Sequence, residues 1–196
     1  MDYDKNRIEY RHTFGGEVRG LHDGDDADTI TLTGLAAVFN KWAHLGHFKE
    51  RILPGAFAKA LRTSDVRLLV NHEGLPLART SSGTMKLTET RQGLEMEAKL
   101  QRSDPDVAAL IPKIERGDLS QFSFAFDVAS DGQEFEGEER TITEFAEIFD
   151  VSLVTFPAFE QTKITALRTR ELFDAGSAMH DVQTTRLREV LLKRYW

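Results

Sequence analysis

The chain has 196 residues, 40% of them hydrophobic and 29% charged, which suits a globular protein with one sizeable core and too little chain for two full domains. A formal net charge of −7 without a clustered basic face speaks against a nucleic-acid partner, and the absence of cysteine excludes disulfides, a thiolate nucleophile and a cysteine-ligated zinc. No apolar run approaches the ~20 residues of a membrane span. Met1 to His12 carries no signal-peptide pattern, so no membrane partner is expected and the protein reads as cytoplasmic.

In chain order, residues 1–28 read as an N-terminal appendage: a short strand over 7–13, then an acidic loop from His22 to Asp28. The core is expected to begin at Thr29, where branched residues alternate up to Asn40 in the manner of a long strand. The loop after it holds His44 and His47. With Glu50 they raise the reading of a metal hydrolase, but ligand-type partners are few and Gly46 disfavours a helix between them, so surface or substrate-rim histidines fit better and no metal is assigned. A turn at Pro54-Gly55 leads to a short helix with Phe57, Ala60 and Leu61 on one side.

Asp65 to Val70 reads as a strand that delivers Asn71-His72 at its tip before Pro76 stops it. Thr84 to Leu100 alternates on either side of Arg91-Gln92-Gly93 and predicts a hairpin. Asp104 as cap, Pro105 in the first turn and Val107, Leu110, Ile111 and Ile114 at helical spacing predict a helix that Gly117 ends.

That helix feeds the strand around which the chain is organised. Between Asp118 and Val128, Phe122, Phe124 and Phe126 point to one face, while Gln121, Ser123, Ala125 and Asp127 point to the other. The phenylalanines anchor the strand in the core, and Ser123 is expected to stand exposed on a rigid support, as a nucleophile requires. Ile148 to Ala158 is a strongly apolar strand with Asp150 inside it. A buried unpaired carboxylate is costly, so Asp150 needs a partner; an imidazole is one candidate, and backbone or water at a strand edge is the other. Lys163 to Leu167 can add a last strand, and Gly176 to Trp196 suits a helix.

Taken together, Gly34 to Phe39, Ile52 to Phe57, Leu69-Val70-Asn71-His72-Glu73, Gly117 to Phe126 and Asp150 to Ala158 occur in the order seen in the phage prohead maturation proteases of the HK97 type, which this chain resembles from about Thr29 to Arg170. The resemblance implies an α+β, mainly β fold, a β-barrel or sandwich ringed by helices like that of the herpesvirus assembly protease. It implies a domain over 29–170 and a C-terminal tail or helix over 171–196. The implied activity is that of a serine endopeptidase, without cofactor, that cuts the scaffolding segment from the major capsid protein inside the immature shell in the host cytoplasm. It also cuts itself, and self-association is compatible with that. On this pattern Ser123 is the nucleophile, His72 the general base and Asp150 the third member that orients the imidazole. Ala125 and Ala78 stand where the family pattern has glycine, and a methyl beside the nucleophile narrows a cleft. That departure keeps open a second reading, a capsid-assembly factor that retains the fold and does not cleave. The turn at Phe156-Pro157-Ala158 could offer a backbone amide to an oxyanion, but proline has no N–H, and that role stays unassigned.

Overall fold

The computed structural model describes residues 8–11, 16–24 and 26–155. Along them run β1 (Glu9–Arg11), β2 (Glu17–Asp23), β3 (Thr29–Val38), β4 (Ala43–His44), β5 (Lys49–Ile52), α1 (Ala60–Thr63), β6 (Arg67–Val70) and β7 (Glu73–Arg79). They continue through β8 (Met85–Glu89), β9 (Gly93–Gln101), α2 (Pro105–Glu115), β10 (Gln121–Val128), β11 (Gln133–Glu136), β12 (Glu139–Ile142) and β13 (Phe145–Val154). The expected strand from Thr29 is β3, and the expected hairpin is β8 and β9. The strand expected at 163–167, the helix at 176–196 and the domain boundary at 170 lie outside the described residues.

The fold is mainly β. One sheet runs β7-β6-β13-β10-β2-β3-β9-β8 with β1 added beside β10, and a smaller one runs β11-β12-β5-β4. The larger sheet is open: β7 and β8 end it without pairing to each other, so the described residues form no closed barrel, and with two helices among them no ring of helices either. Pro76 does not stop the chain but lies within β7. Proline cannot donate to a further strand, which suits β7 to the edge. The stretch expected to be an appendage also differs. Its residues 17–23 form β2, which sits inside the sheet between β10 and β3.

β10 lies at the centre. Phe122, Phe124 and Phe126 are fully buried, and the last two pack with Phe57 and Phe145, with ring centroids 4.9 Å apart for Phe124–Phe126, 4.8 Å for Phe126–Phe145 and 4.6 Å for Phe57–Phe145. The neighbouring backbone is thinned to admit them: a Cβ on Gly34 of β3 would stand 2.6 Å from the Phe122 ring and 2.3 Å from the Glu17 carbonyl oxygen. Upstream, the Asp104 side chain accepts from the Asp106 amide at 2.9 Å and starts α2 behind Pro105. Gly117, at φ +81°, then turns the chain out of α2 toward β10.

Beside the aromatic core, a charged cluster joins the two sheets. Arg140 of β12 pairs in register with Glu50 of β5, and its Nη1 donates to Glu50 Oε2 at 2.6 Å. Arg11 of β1 donates to the same carboxylate through Nε at 2.7 Å, while Arg140 Nη2 donates to Glu9 Oε1 at 2.7 Å. Arg11 also bonds Glu9. All four side chains are buried or nearly so, and their formal charges sum to zero. Burial alone would lower both guanidinium pKa values, but the facing Glu50 and Glu9 carboxylates outweigh it and raise them. Glu50 is thereby committed inside the protein, away from any metal role with His44 and His47. Those two histidines line a surface pocket with Lys49, Glu136, Glu138 and Glu139. Among the described residues no group of three His, Cys, Asp or Glu is placed to hold a metal ion.

Candidate active site

The site is assembled from three strands that lie side by side. β13 runs antiparallel to β10 and parallel to β6, so Ser123 stands opposite Ser152 and Asp150 stands opposite Ala125, while the end of β6 comes alongside Leu153. Residues directly opposite across a ladder share a face. Ser123, Ala125, Asp150 and Ser152 therefore line one patch, on the side of β10 away from the phenylalanines.

His72 reaches that patch from a tight hairpin. Val70 pairs with Glu73, leaving Asn71 and His72 as a two-residue loop with φ values of 52° and 62°. Two consecutive positive φ angles are the signature of a type I′ turn, in which asparagine is favoured first and glycine second. A histidine in the second position is strained by roughly 1–3 kcal/mol, and such strain persists only where the surroundings hold it. Here they do. The Asn71 amide donates to the Leu153 carbonyl at 2.9 Å, and Asn71 Oδ1 accepts from the amide of Thr155 at 3.0 Å and from its hydroxyl at 2.8 Å. At the base of the hairpin, the Asp65 carboxylate takes the Arg79 guanidinium and the Ser81 amide.

The imidazole bridges the other two groups. His72 Nδ1 is 2.7 Å from Asp150 Oδ1, and Nε2 is 2.7 Å from Ser123 Oγ. A carboxylate can only accept, so the hydrogen sits on Nδ1, and in the neutral ring Nε2 is left as acceptor for the Ser123 hydroxyl. The chain of bonds thus runs from Ser123 Oγ–H to Nε2 and from Nδ1–H to Asp150. Of the two partners open to Asp150, imidazole or backbone and water, the structure brings the imidazole. The Ala125 methyl, itself buried, leaves the Ser123–His72 bond intact.

Two further residues belong to the patch and escaped the sequence reading. Ser152 Oγ donates to Asp150 Oδ1 at 2.6 Å and accepts from the His72 amide at 3.2 Å, so one hydroxyl fixes both the carboxylate and the turn that carries the imidazole. The available signal was its place two residues after Asp150 on the same face of an apolar strand. Tyr10 of β1 packs edge-on against the His72 ring, with centroids 4.7 Å apart and planes at 71°. Burial, with the nearby Asp150 charge, pushes its phenol pKa up. The strand face that was expected to be exposed is buried, and Ser123 is 0% exposed. The turn at 156–158 lies outside the described residues.

A serine hydroxyl bonded to an imidazole that is backed by a buried carboxylate is the constellation of a serine hydrolase. The comparisons narrow that class. The profile of the Caudovirus prohead serine proteases matches residues 18–175. The chain belongs to that family, and it is a serine protease of bacteriophage capsid maturation. It is 31% identical over 164 residues to the prohead protease of Enterobacteria phage HK97, a match that covers 82% of this chain and 68% of that one. No solved structure matches.

Proposed function

We propose that Ser123 is the nucleophile, His72 the general base and Asp150 the group that orients the imidazole, and that the reaction is cleavage of the scaffolding segment of the phage major capsid protein. The observation that supports the residue roles is the continuous pair of 2.7 Å bonds through the His72 ring. Ser123 Oγ attacks the peptide carbonyl as its proton passes to Nε2, and Asp150 stabilises the imidazolium that forms. The imidazolium then gives that proton to the departing amine. Water, deprotonated by the same Nε2, attacks the acyl-enzyme ester; the acyl C–Oγ bond breaks, Oγ takes the proton back from Nε2, and the peptide leaves with a free carboxyl end. Cleavage inside the prohead in the host cytoplasm, cleavage of the protease itself, and kinship in fold with the herpesvirus assembly protease are parts of the same proposal. They are supported by family membership and by the order of the motifs along the chain.

Intact-mass spectrometry of the wild type and Ser123→Ala, each expressed with its capsid protein, tests the proposal. Shortened capsid protein in the wild type alone is the expected result and locates the cut. Equal cleavage by Ser123→Ala would move the nucleophile elsewhere, with Ser152 the next residue to replace.

A further inference from the structure

Ser123 is completely enclosed, although on the reading above a peptide carbonyl must reach its Oγ. The chain's own β1 lies next to it. This strand lies antiparallel against β10 just beyond the serine, with Arg11 opposite Phe124, Tyr10 opposite Ala125 and Glu9 opposite Phe126. On the other side of Ser123, Gln121 pairs with Glu17 of β2. Addition of an antiparallel strand to a sheet edge is a general way for a protein to hold an extended peptide, and main-chain bonds then set the register beside the reacting group. β1 is such a strand, and it is already in place.

Its side chains divide by face. Tyr10 shares the face of Ala125 and Ser123 and covers the imidazole, remaining 39% exposed itself. Glu9 and Arg11 share the opposite face and enter the cluster with Glu50 and Arg140. That cluster separates cleanly: one acid and one base belong to β1, and one acid and one base belong to the body, where Arg140 and Glu50 stay bonded at 2.6 Å. Departure of β1 removes a neutral pair and leaves a neutral pair, so no buried charge is orphaned. A strand fixed by a single buried charge could not leave in this way.

We infer that the edge of β10 at Phe124–Phe126 is a subsite for an extended peptide strand of acidic–aromatic–basic pattern, and that Glu9-Tyr10-Arg11 is its resident occupant, which substrate displaces. The inference rests on the protease reading for the role of the displaced strand. The peptide's acid goes to Arg140, its base goes to Glu50 two residues on, and the residue between them lies over His72. In the resting chain the same contacts shield the serine.

Two measurements on the full chain test this. The first is fluorescence anisotropy with a labelled peptide of residues 7–12, Arg-Ile-Glu-Tyr-Arg-His, in the Ser123→Ala background so that nothing is cleaved. Adding Glu9→Gln and Arg11→Met together should loosen β1 and tighten peptide binding at least tenfold, while a peptide with its Glu and second Arg exchanged should bind at least tenfold more weakly. Equal binding by the loosened and unloosened proteins, or of the two peptides, overturns the subsite. The second is labelling by a fluorophosphonate with Ser123 intact. Tyr10→Ala, which removes a part-exposed ring and no charge, should be labelled several-fold faster than wild type, and equal rates overturn the shielding. If peptide binding behaves as expected and no form is labelled, the subsite stands and the nucleophile assignment fails. Equal labelling without peptide preference has the opposite meaning.

Discussion

The pairing of β1 with β10 has a buried polar cluster on each of its faces, and the two are built on different terms. On one face Glu9, Arg11, Glu50 and Arg140 bring two acids and two bases together in multiple charge-assisted bonds. Any proton moved within that cluster would cost a matched pair. On the other face Ser123, His72, Asp150 and Ser152 share one carboxylate, two hydroxyls and one imidazole with an acceptor nitrogen. In the proposed mechanism a proton moves here from Ser123 to His72, and the cation it creates has Asp150 at 2.7 Å. A cluster saturated with opposite charges holds strands together, whereas one with a single anion and a neutral relay is ready to change state.

The largest expected effect comes from removing the single anion. Asp150→Asn keeps the shape but offers the imidazole an amide that can impose the wrong tautomer, and on the proposed roles capsid-protein cleavage should slow by about four orders of magnitude, the scale known from Ser-His-Asp enzymes. Thermal unfolding should hardly move. A loss under tenfold would remove Asp150 from the mechanism. The corresponding change in the other cluster should show the reverse pattern in its first readout. Arg140→Met leaves Glu9 and Glu50 sharing Arg11, and stranding a buried charge in this way costs about 3–5 kcal/mol. Urea unfolding should reveal that loss. A stability within 1 kcal/mol of wild type would show that water or rearrangement relieves the excess acid.

The two clusters were not equally legible in the sequence. Asp150 could be read because a carboxylate inside Ile148 to Pro157 needs a partner, and His72 because it tips an apolar strand. Ser123 could be read because three phenylalanines fix which way β10 faces. What could not be read was contact made by strands far apart in sequence. Glu50 and Arg140 meet through the parallel pairing of β5 with β12, 90 residues apart, and no local pattern announces it. For the same reason β1 and β2 read as an appendage: the acidic run after them dominates the local composition, while their places beside β10 are set by tertiary pairing. The burial of Ser123 was missed because alternation reports which face a side chain takes and not whether another element covers that face.

Ser152 offers a smaller effect that links the two kinds of cluster. In the proposed mechanism its hydroxyl holds Asp150 and the His72 amide and takes no part in proton transfer, which makes it a positioning residue. A hydrogen bond to a charged group contributes about 1.5–3 kcal/mol, which corresponds to roughly ten- to a hundredfold in rate. Ser152→Ala should lower kcat by that amount and leave KM nearly unchanged, with Ser152→Thr restoring part of the rate. An unchanged kcat would leave the hydroxyl with a purely structural part.

The smallest effect is confined to acid. Burial pushes the Glu9 carboxyl up, but the charge of Arg11 and the hydrogen bond and charge of Arg140 outweigh it and hold the pKa at about 2, against an ordinary 4.5. A carboxyl depressed in the folded state contributes its full stabilisation above the unfolded pKa and loses it as pH falls toward the folded one. The stability difference between wild type and Glu9→Gln should therefore be level above about pH 5 and shrink steadily between pH 4.5 and about 2. Denaturant titrations of both proteins at several pH values measure it directly. A difference that stays flat through that window would mean that Glu9 is not held by the two guanidinium groups, and the contrast between a saturated cluster and a poised one would then lose its structural half.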